Sequence, residues 1–299
     1  MNVLISGGSG MLGKAITDLL LSEGFQVAWL TRHKKPVAQN ISQFEWNPDN
    51  GFYDPAAFKW CDSIINLAGE SIGEIPWNES GKQKILYSRI QSVQTLAKGI
   101  NEKKETLKSF VGVSGAGFYG STSLIHKETD PAGTDFPAFV AKKWEEEYNK
   151  IAALKPDRFA ILRLGVVLSG SGGALPKLAQ PIKLGVGTIL GNGNQPFNWL
   201  HISDAARIFV EALCWNGVYN ASSPEKINNK EVTLALSKIL GMPIWLPKAP
   251  AFVLKIVLGE RSDLVLKGNY SDVTKLEATG FKFNYPNFVN AVRDIYPVK

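Results

Sequence analysis

Three glycines near the chain start, Gly7, Gly10 and Gly13, stand at GxxGxxG spacing in VLISGGSGMLGKAITDLLLSEG, between an apolar run and an amphipathic one. In a strand, turn and helix each has its own use. The first permits the tight turn, the second lets backbone approach a pyrophosphate, and the third lets the helix pack close on the strand. The helix, opened by Met11 and Leu12, presents its N-terminus to the phosphate charge. The chemistry implied is dinucleotide binding, and a glycine-rich turn without a ligand is the competing reading.

Which dinucleotide is decided where the second strand ends, because an acid there takes the ribose 2′-hydroxyl. The sequence at that point reads VAWLTRHKK, so Thr31 and Arg32 occupy the position. A hydroxyl and a planar guanidinium suit a 2′-phosphate, and no carboxylate is expected beside them to repel it. NADP(H) is therefore expected over NAD(H), against the alternative of a solvated basic loop.

Such groups need a scaffold that brings strand ends together. Short apolar runs at 2–5, 26–31, 63–67, 109–114 and 159–164 alternate with amphipathic helices, the pattern of a parallel sheet wrapped by helices. The expected fold is α/β: a Rossmann-type doubly wound parallel sheet with a smaller, mostly helical C-terminal lobe on the substrate side. The dinucleotide-binding domain is placed at 1–170, with 200–222 returning to it. The lobe is placed at 171–199 and 223–299, where glycine- and asparagine-rich loops and prolines at 243, 247 and 250 change the character of the chain.

Composition narrows the function. The chain has 299 residues, 44% hydrophobic and 20% charged, with a net charge of +6. Its basic residues are scattered in pairs such as Lys34-Lys35 and Lys103-Lys104 rather than gathered in a stripe, so no nucleic-acid partner is expected. Cys61 and Cys214 have no metal or redox spacing, and His33, His126 and His201 lie far apart, so no metal is expected and a reducing compartment is. No apolar run reaches spanning length and MNVLISGGSG has no basic leader region. A cytoplasmic location without a membrane partner is expected.

With the glycine loop, CDSIINLAGESI, VSGAGFYG, RLGVVLSGSGGAL and FNWLHISDAARIFVEAL in this order, the chain resembles the NAD(P)-dependent epimerase/dehydratase family of extended short-chain dehydrogenases. It is most similar to an atypical subgroup with its own C-terminal region. The resemblance implies that Leu67, Ala68 and Gly69 line the cofactor, that Arg89 of the SRI block meets a phosphate or the substrate, and that Val166 and Val167 lie near the nicotinamide. A surface arginine and plain core valines are the competing readings.

Ordinary members use a YxxxK pair, in which lysine lowers the pKa of a tyrosine acid or base, together with a serine that orients the substrate oxygen. Ser114 stands where that serine belongs. The helix DFPAFVAKKWEEE stands where YxxxK belongs, in two possible registers. Matching Lys143 puts Phe139 at the tyrosine; matching Glu145 to the glutamate that follows the family's lysine puts Pro137 and Ala141 at the pair. Neither supplies a phenol. Tyr119 is the candidate substitute, with a packed tyrosine as the competing reading, and Glu70 and Glu128 are further candidates for a proton relay. Lys142 or Lys143 either binds ribose or forms part of an exposed ion-pair face. The function expected is an NADP(H)-dependent oxidoreductase or epimerase (an isomerase) acting on a small carbonyl or sugar-like substrate, as a possible homodimer. The alternative is a non-catalytic NADP(H)-binding redox sensor.

Overall fold

The computed structural model describes residues 1–38 and 40–297. The chain divides into two compact units. One comprises Met1–Ser114, Phe139–Leu162 and Ala206–Tyr219, and the other Gly115–Ala138, Arg163–Ala205 and Asn220–Lys299.

The architecture is a large mixed, mainly parallel sheet with flanking helices. Its first strands are β1 (Asn2–Ser6), β2 (Gln26–Thr31), β3 (Ile41–Asn47), β4 (Phe52–Tyr53), β5 (Ser63–Asn66) and β6 (Ser109–Gly115). With the strands Arg158–Leu164 and Gly217–Ala221, the spatial order runs Gly217–Ala221, Arg158–Leu164, β6, β5, β1, β2, β3, β4. β1 pairs in parallel with both β2 and β5, and β5 with β6. Val3, Leu4 and Ile5 are wholly buried, as continuous apolar runs must be when helices cover both faces of a sheet. The crossovers are α1 (Met11–Ser22), α2 (Pro55–Trp60), α3 (Glu79–Asn101) and α4 (Phe136–Ala152). Strand order reverses between β1 and β5, and the crevice beyond their carboxyl ends is where such sheets bind ligands. The strand β3, which carries few aliphatic residues, extends this half of the sheet in parallel with β2.

Polar side chains inside this unit are tied together. Ser6 Oγ donates to Asn66 Oδ1 at 2.5 Å, Asn66 Nδ2 donates to Tyr148 Oη at 2.9 Å, and Tyr148 Oη donates to the Val113 carbonyl at 3.1 Å. Tyr148, from α4, is completely buried, and desolvation holds its phenol pKa well above the ordinary value. Its ring leaves room only for glycine at 112, where a Cβ would lie 2.7 Å from Cζ.

The second unit has its own core. The helices Ala174–Lys183, Asn229–Leu240 and Phe288–Ile295 contribute Leu175, Leu236 and Phe288, which pack with Trp199 and Leu168. The Trp199 and Phe288 rings meet edge to face with centroids 5.3 Å apart. Asn228 and Glu231 form a reciprocal capping box at the start of Asn229–Leu240, and Gly241 at φ +66 closes it, a left-handed position that glycine adopts without strain.

Removing the Tyr148 hydroxyl would take the acceptor from Asn66 Nδ2 and a donor from the Val113 carbonyl in a buried setting. Tyr148→Phe is expected to destabilise the protein by about 1–3 kcal/mol, read as a lower urea midpoint; an unchanged midpoint would show that the chain of hydrogen bonds is not needed.

Candidate functional site

The crevice at the β1/β5 reversal is an open cleft of about 920 Å³ lined by both loops that leave those strands, including Gly7, Gly10, Leu67, Ala68 and Gly69. Gly7 sits at φ +73 with the Leu67 carbonyl 3.1 Å from where a Cβ would be, so both the turn and the close approach require glycine. Gly10 N–H donates to Gly7 O at 3.1 Å, and a Cβ on Gly10 would meet only that oxygen, at 3.3 Å. Gly13 packs α1 on the turn, since a Cβ there would lie 2.6 Å from Gly8 Cα. Ser6 Oγ accepts from the amides of Leu67 and Ala68 at 3.2 and 3.3 Å and so holds the second loop. α1, which Met11 and Leu12 open, has no capping side chain and no acid in its first turn. Its uncapped amides and dipole suit an anion. Trp29, Pro36, Val37 and Trp46 add apolar wall that suits a flat base. These residues fit a dinucleotide. Sequence reasoning missed Trp46 because ISQFEWN is neither an aliphatic run nor a clean alternation.

At the far side of the cleft, Thr31 Oγ1 donates to His33 O at 2.8 Å and accepts from His33 N–H at 3.3 Å, so its hydroxyl shapes the turn that presents Arg32. The expectation that no carboxylate stands near Arg32 needs correction. Glu70, arriving from β5 rather than β2, places Oε1 3.9 Å from Arg32 Nη1 and 4.0 Å from Lys84 Nζ. Spacing along the chain gives no hint of this, because β2 and β5 come to flank β1 only through the crossover. Arg89 lies against Gly69, donates from Nη1 to Ile85 O at 2.8 Å and sits 4.9 Å from the centre of the Trp144 ring. Burial pushes its pKa down to about 10, with Tyr148 and Glu70 acting in the opposite direction.

The helix α4 shows which of its faces is turned inward. Phe139 is 46% exposed and Lys142 is exposed, while Lys143 Nζ pairs with Glu146 at 2.7 Å. Ala141 is buried, and Glu145, four residues on, accepts a hydrogen bond from Ser114 Oγ at 2.7 Å. The register of Glu145 therefore faces Ser114. Ser114 is itself buried at the end of β6, so strand and helix bring a hydroxyl and a carboxyl together.

Tyr119 lies in the other unit, in the 3-10 turn Ala116–Tyr119. Asn269 Nδ2 holds this turn by donating to the carbonyls of Ala116 and Gly120, both at 2.8 Å. The phenol is buried. It donates to Asn220 Oδ1 at 2.6 Å and accepts from Arg163 Nη1 at 2.9 Å. Its pKa is raised, first by burial and only partly offset by Arg163. Glu128 Oε1 accepts from the Asn220 amide at 2.8 Å, and the Arg163 guanidinium stacks 3.5 Å from the centre of the Phe118 ring. Arg163 is a buried charge that sequence reading passed over as one residue of an apolar strand. Val166 and Val167 form a short parallel ladder with Trp199 and Leu200 within the same unit.

Comparison with known proteins places this geometry. The profile of the NAD dependent epimerase/dehydratase family matches residues 3–222, and that of a domain of unknown function (DUF1731) matches 249–295. The chain is 34% identical over 306 residues to the mouse epimerase family protein SDR39U1, covering 99% of both. It is 34% identical over 303 residues to the epimerase family protein YfhF of Bacillus subtilis, covering 99% of this chain and 98% of that one. The crystal structure of human epimerase family protein SDR39U1 (isoform 2) with NADPH matches with a TM-score of 0.85 at 31% identity, covering 99% of each chain.

The second and third glycine positions separate binding from folding. Gly10→Val is expected to abolish dinucleotide binding with a near-native circular dichroism spectrum, because its side chain enters the cleft. Gly13→Val forces α1 off the turn and lowers the melting temperature. Retained calorimetric binding by a folded Gly10→Val protein would show that the turn does not carry the ligand.

Proposed function

The chain belongs to the NAD dependent epimerase/dehydratase family, and we propose that it works there as an NADP(H)-dependent oxidoreductase or epimerase on a small carbonyl or sugar-like substrate. The observation that carries the reading is the Ser114–Glu145 hydrogen bond, formed in the same unit as the dinucleotide cleft. The NADPH-bound human relative supports the choice of cofactor, as does Arg32 at the end of β2.

Gly7, Gly10 and the first amides of α1 hold the pyrophosphate, and Arg32 takes the 2′-phosphate. Met11, Leu12, Leu67, Ala68, Gly69 and Arg89 complete the cofactor's surroundings. When bound, the dinucleotide supplies a hydride donor or acceptor at its nicotinamide ring. Ser114 orients the substrate oxygen. In the oxidising direction Ser114 Oγ takes the proton of the substrate hydroxyl while its own proton passes to Glu145; carbonyl reduction runs the same transfer in reverse. Tyr119 is the second candidate for proton transfer, but a raised pKa and a donor bond to Asn220 keep its proton in place, the opposite of what a base near neutral pH needs.

A second reading, a redox sensor that binds NADP(H) without turnover, is favoured by one observation: the Phe139/Lys143 face of α4 is turned outward, and neither register supplies a phenol.

Two measurements test these readings. NADPH is expected to bind more tightly than NADH, and Arg32→Ala to lose roughly tenfold or more for NADPH, since a hydrogen bond between charged groups contributes about 1.5–3 kcal/mol; equal calorimetric affinities in the wild type would overturn the preference. In NADPH oxidation against a panel of aldehydes, ketones and quinones, with hydride transfer confirmed by deuterated cofactor, Ser114→Ala and Glu145→Gln should each lower kcat by about 10²- to 10⁴-fold. Wild-type turnover matched by Glu145→Gln would remove Glu145 from the mechanism, and a comparable loss in Tyr119→Phe would move the proton to Tyr119.

A further inference from the structure

Family members that prefer NAD place an acid at the end of the second strand; here that position holds Thr31 and Arg32. A carboxylate nevertheless reaches the same corner of the cleft from another strand. Glu70 follows β5, lines the cleft and stands 3.9 Å from Arg32 and 4.0 Å from Lys84. Its backbone is tied to the helix that carries Lys84, because Glu70 N–H donates to Ser88 Oγ at 3.0 Å and Ser88 Oγ donates to Ile85 O at 3.0 Å. Its side chain is 30% exposed, against 62% for both cations, so the carboxylate is the fixed member and the two cations are the mobile ones.

Arg89, from the same helix, is within electrostatic reach of Glu70. Arg32 and Lys84 therefore flank one carboxylate and leave an excess of positive charge beside it. That excess suits a ligand carrying a dianionic phosphate monoester beside a ribose. The carboxylate also repels such a phosphate and competes with it for Arg32 and Lys84. With a ribose that bears a free 2′-hydroxyl, the same oxygen accepts a hydrogen bond, as the second-strand acid does elsewhere.

Resting on the reading of the cleft as an NADP(H) site, we propose that Glu70 sets how strongly this protein discriminates the 2′-phosphate from the 2′-hydroxyl, with Lys84 as a second cation of the phosphate subsite. Glu70 holds Arg32 and Lys84 in place when no phosphate is present and yields them when one arrives. Discrimination is thereby lower than Arg32 alone would give. The contest is between partly exposed charges, so it weakens as salt rises.

The test is calorimetric titration of NADPH and NADH into wild type, Glu70→Gln, Glu70→Ala and Lys84→Ala at low and at high salt, with circular dichroism of each variant. Glu70→Gln and Glu70→Ala should each raise the NADPH-to-NADH affinity ratio by about three- to tenfold, and Lys84→Ala should lower it by a similar factor, the range expected of partly screened ion pairs. Two Glu70 variants are used so that a folding defect in one does not decide the outcome. A wild type that prefers NADPH, with a ratio unchanged within twofold in both Glu70 variants, overturns the role of Glu70 and leaves the NADP(H) reading standing. A wild type with equal affinities that acquires a preference for NADPH on loss of Glu70 supports the role while overturning the native preference. Binding of neither cofactor overturns both.

Discussion

The site rests on one buried relay of hydrogen bonds, Ser6 to Asn66 to Tyr148 to the Val113 carbonyl. Its members come from β1, β5, α4 and β6, and the loops after β1 and β5 line the cleft. Ser6 also fixes the loop after β5 through two amides. Ser114 follows Val113 directly, and Glu145 lies one helical turn before Tyr148, so the relay that joins the strands also sets the distance between hydroxyl and carboxyl. In a medium that cannot replace lost partners, each member is costly to leave unmatched. The relay therefore locks geometry around Ser114 and Glu145, while Arg32 and Lys84, largely in solvent, remain adjustable.

That contrast suits a protein that must place one atom accurately and hold a large ligand by its ends. On the proposed reading, turn geometry and helix amides would hold the middle of the ligand without side-chain charges, with Arg32 at the ribose end, where screening makes charge tunable. In the second unit Tyr119, Arg163, Asn220 and Glu128 form a packed polar cluster of the kind that specifies one arrangement of a core.

The sheet and the glycine turn were legible from the chain because both follow from local rules: apolar runs buried on two faces, and a glycine wherever a turn or a close approach demands one. The strand β3 was not, since ISQFEWN reads as neither an aliphatic run nor a clean alternation. The register of α4 stayed open in the sequence because both Lys143 and Glu145 offered an alignment, and only the packing of Ala141 and Tyr148 turns Glu145 toward Ser114. Glu70 beside Arg32 was out of reach altogether: the residues are 38 positions apart and meet only through the crossover that sets β1 between β2 and β5.

Gly8 belongs to the turn but not to the GxxGxxG spacing, and a Cβ there would run into the indole of Trp29. The indole is itself fixed, with Nε1 donating to Thr17 Oγ1 at 2.9 Å, and its face forms part of the cleft wall. Positions 8 and 29 are thus constrained to vary as a pair among descendants of this sequence: a larger residue at 8 is tolerated only with a smaller one at 29, and that exchange would widen the cleft and leave the hydroxyl of Thr17 with only its bond to the Gly13 carbonyl. Drift at a residue that touches no ligand would in this way be inherited as a change in the shape of the wall against which the ligand lies.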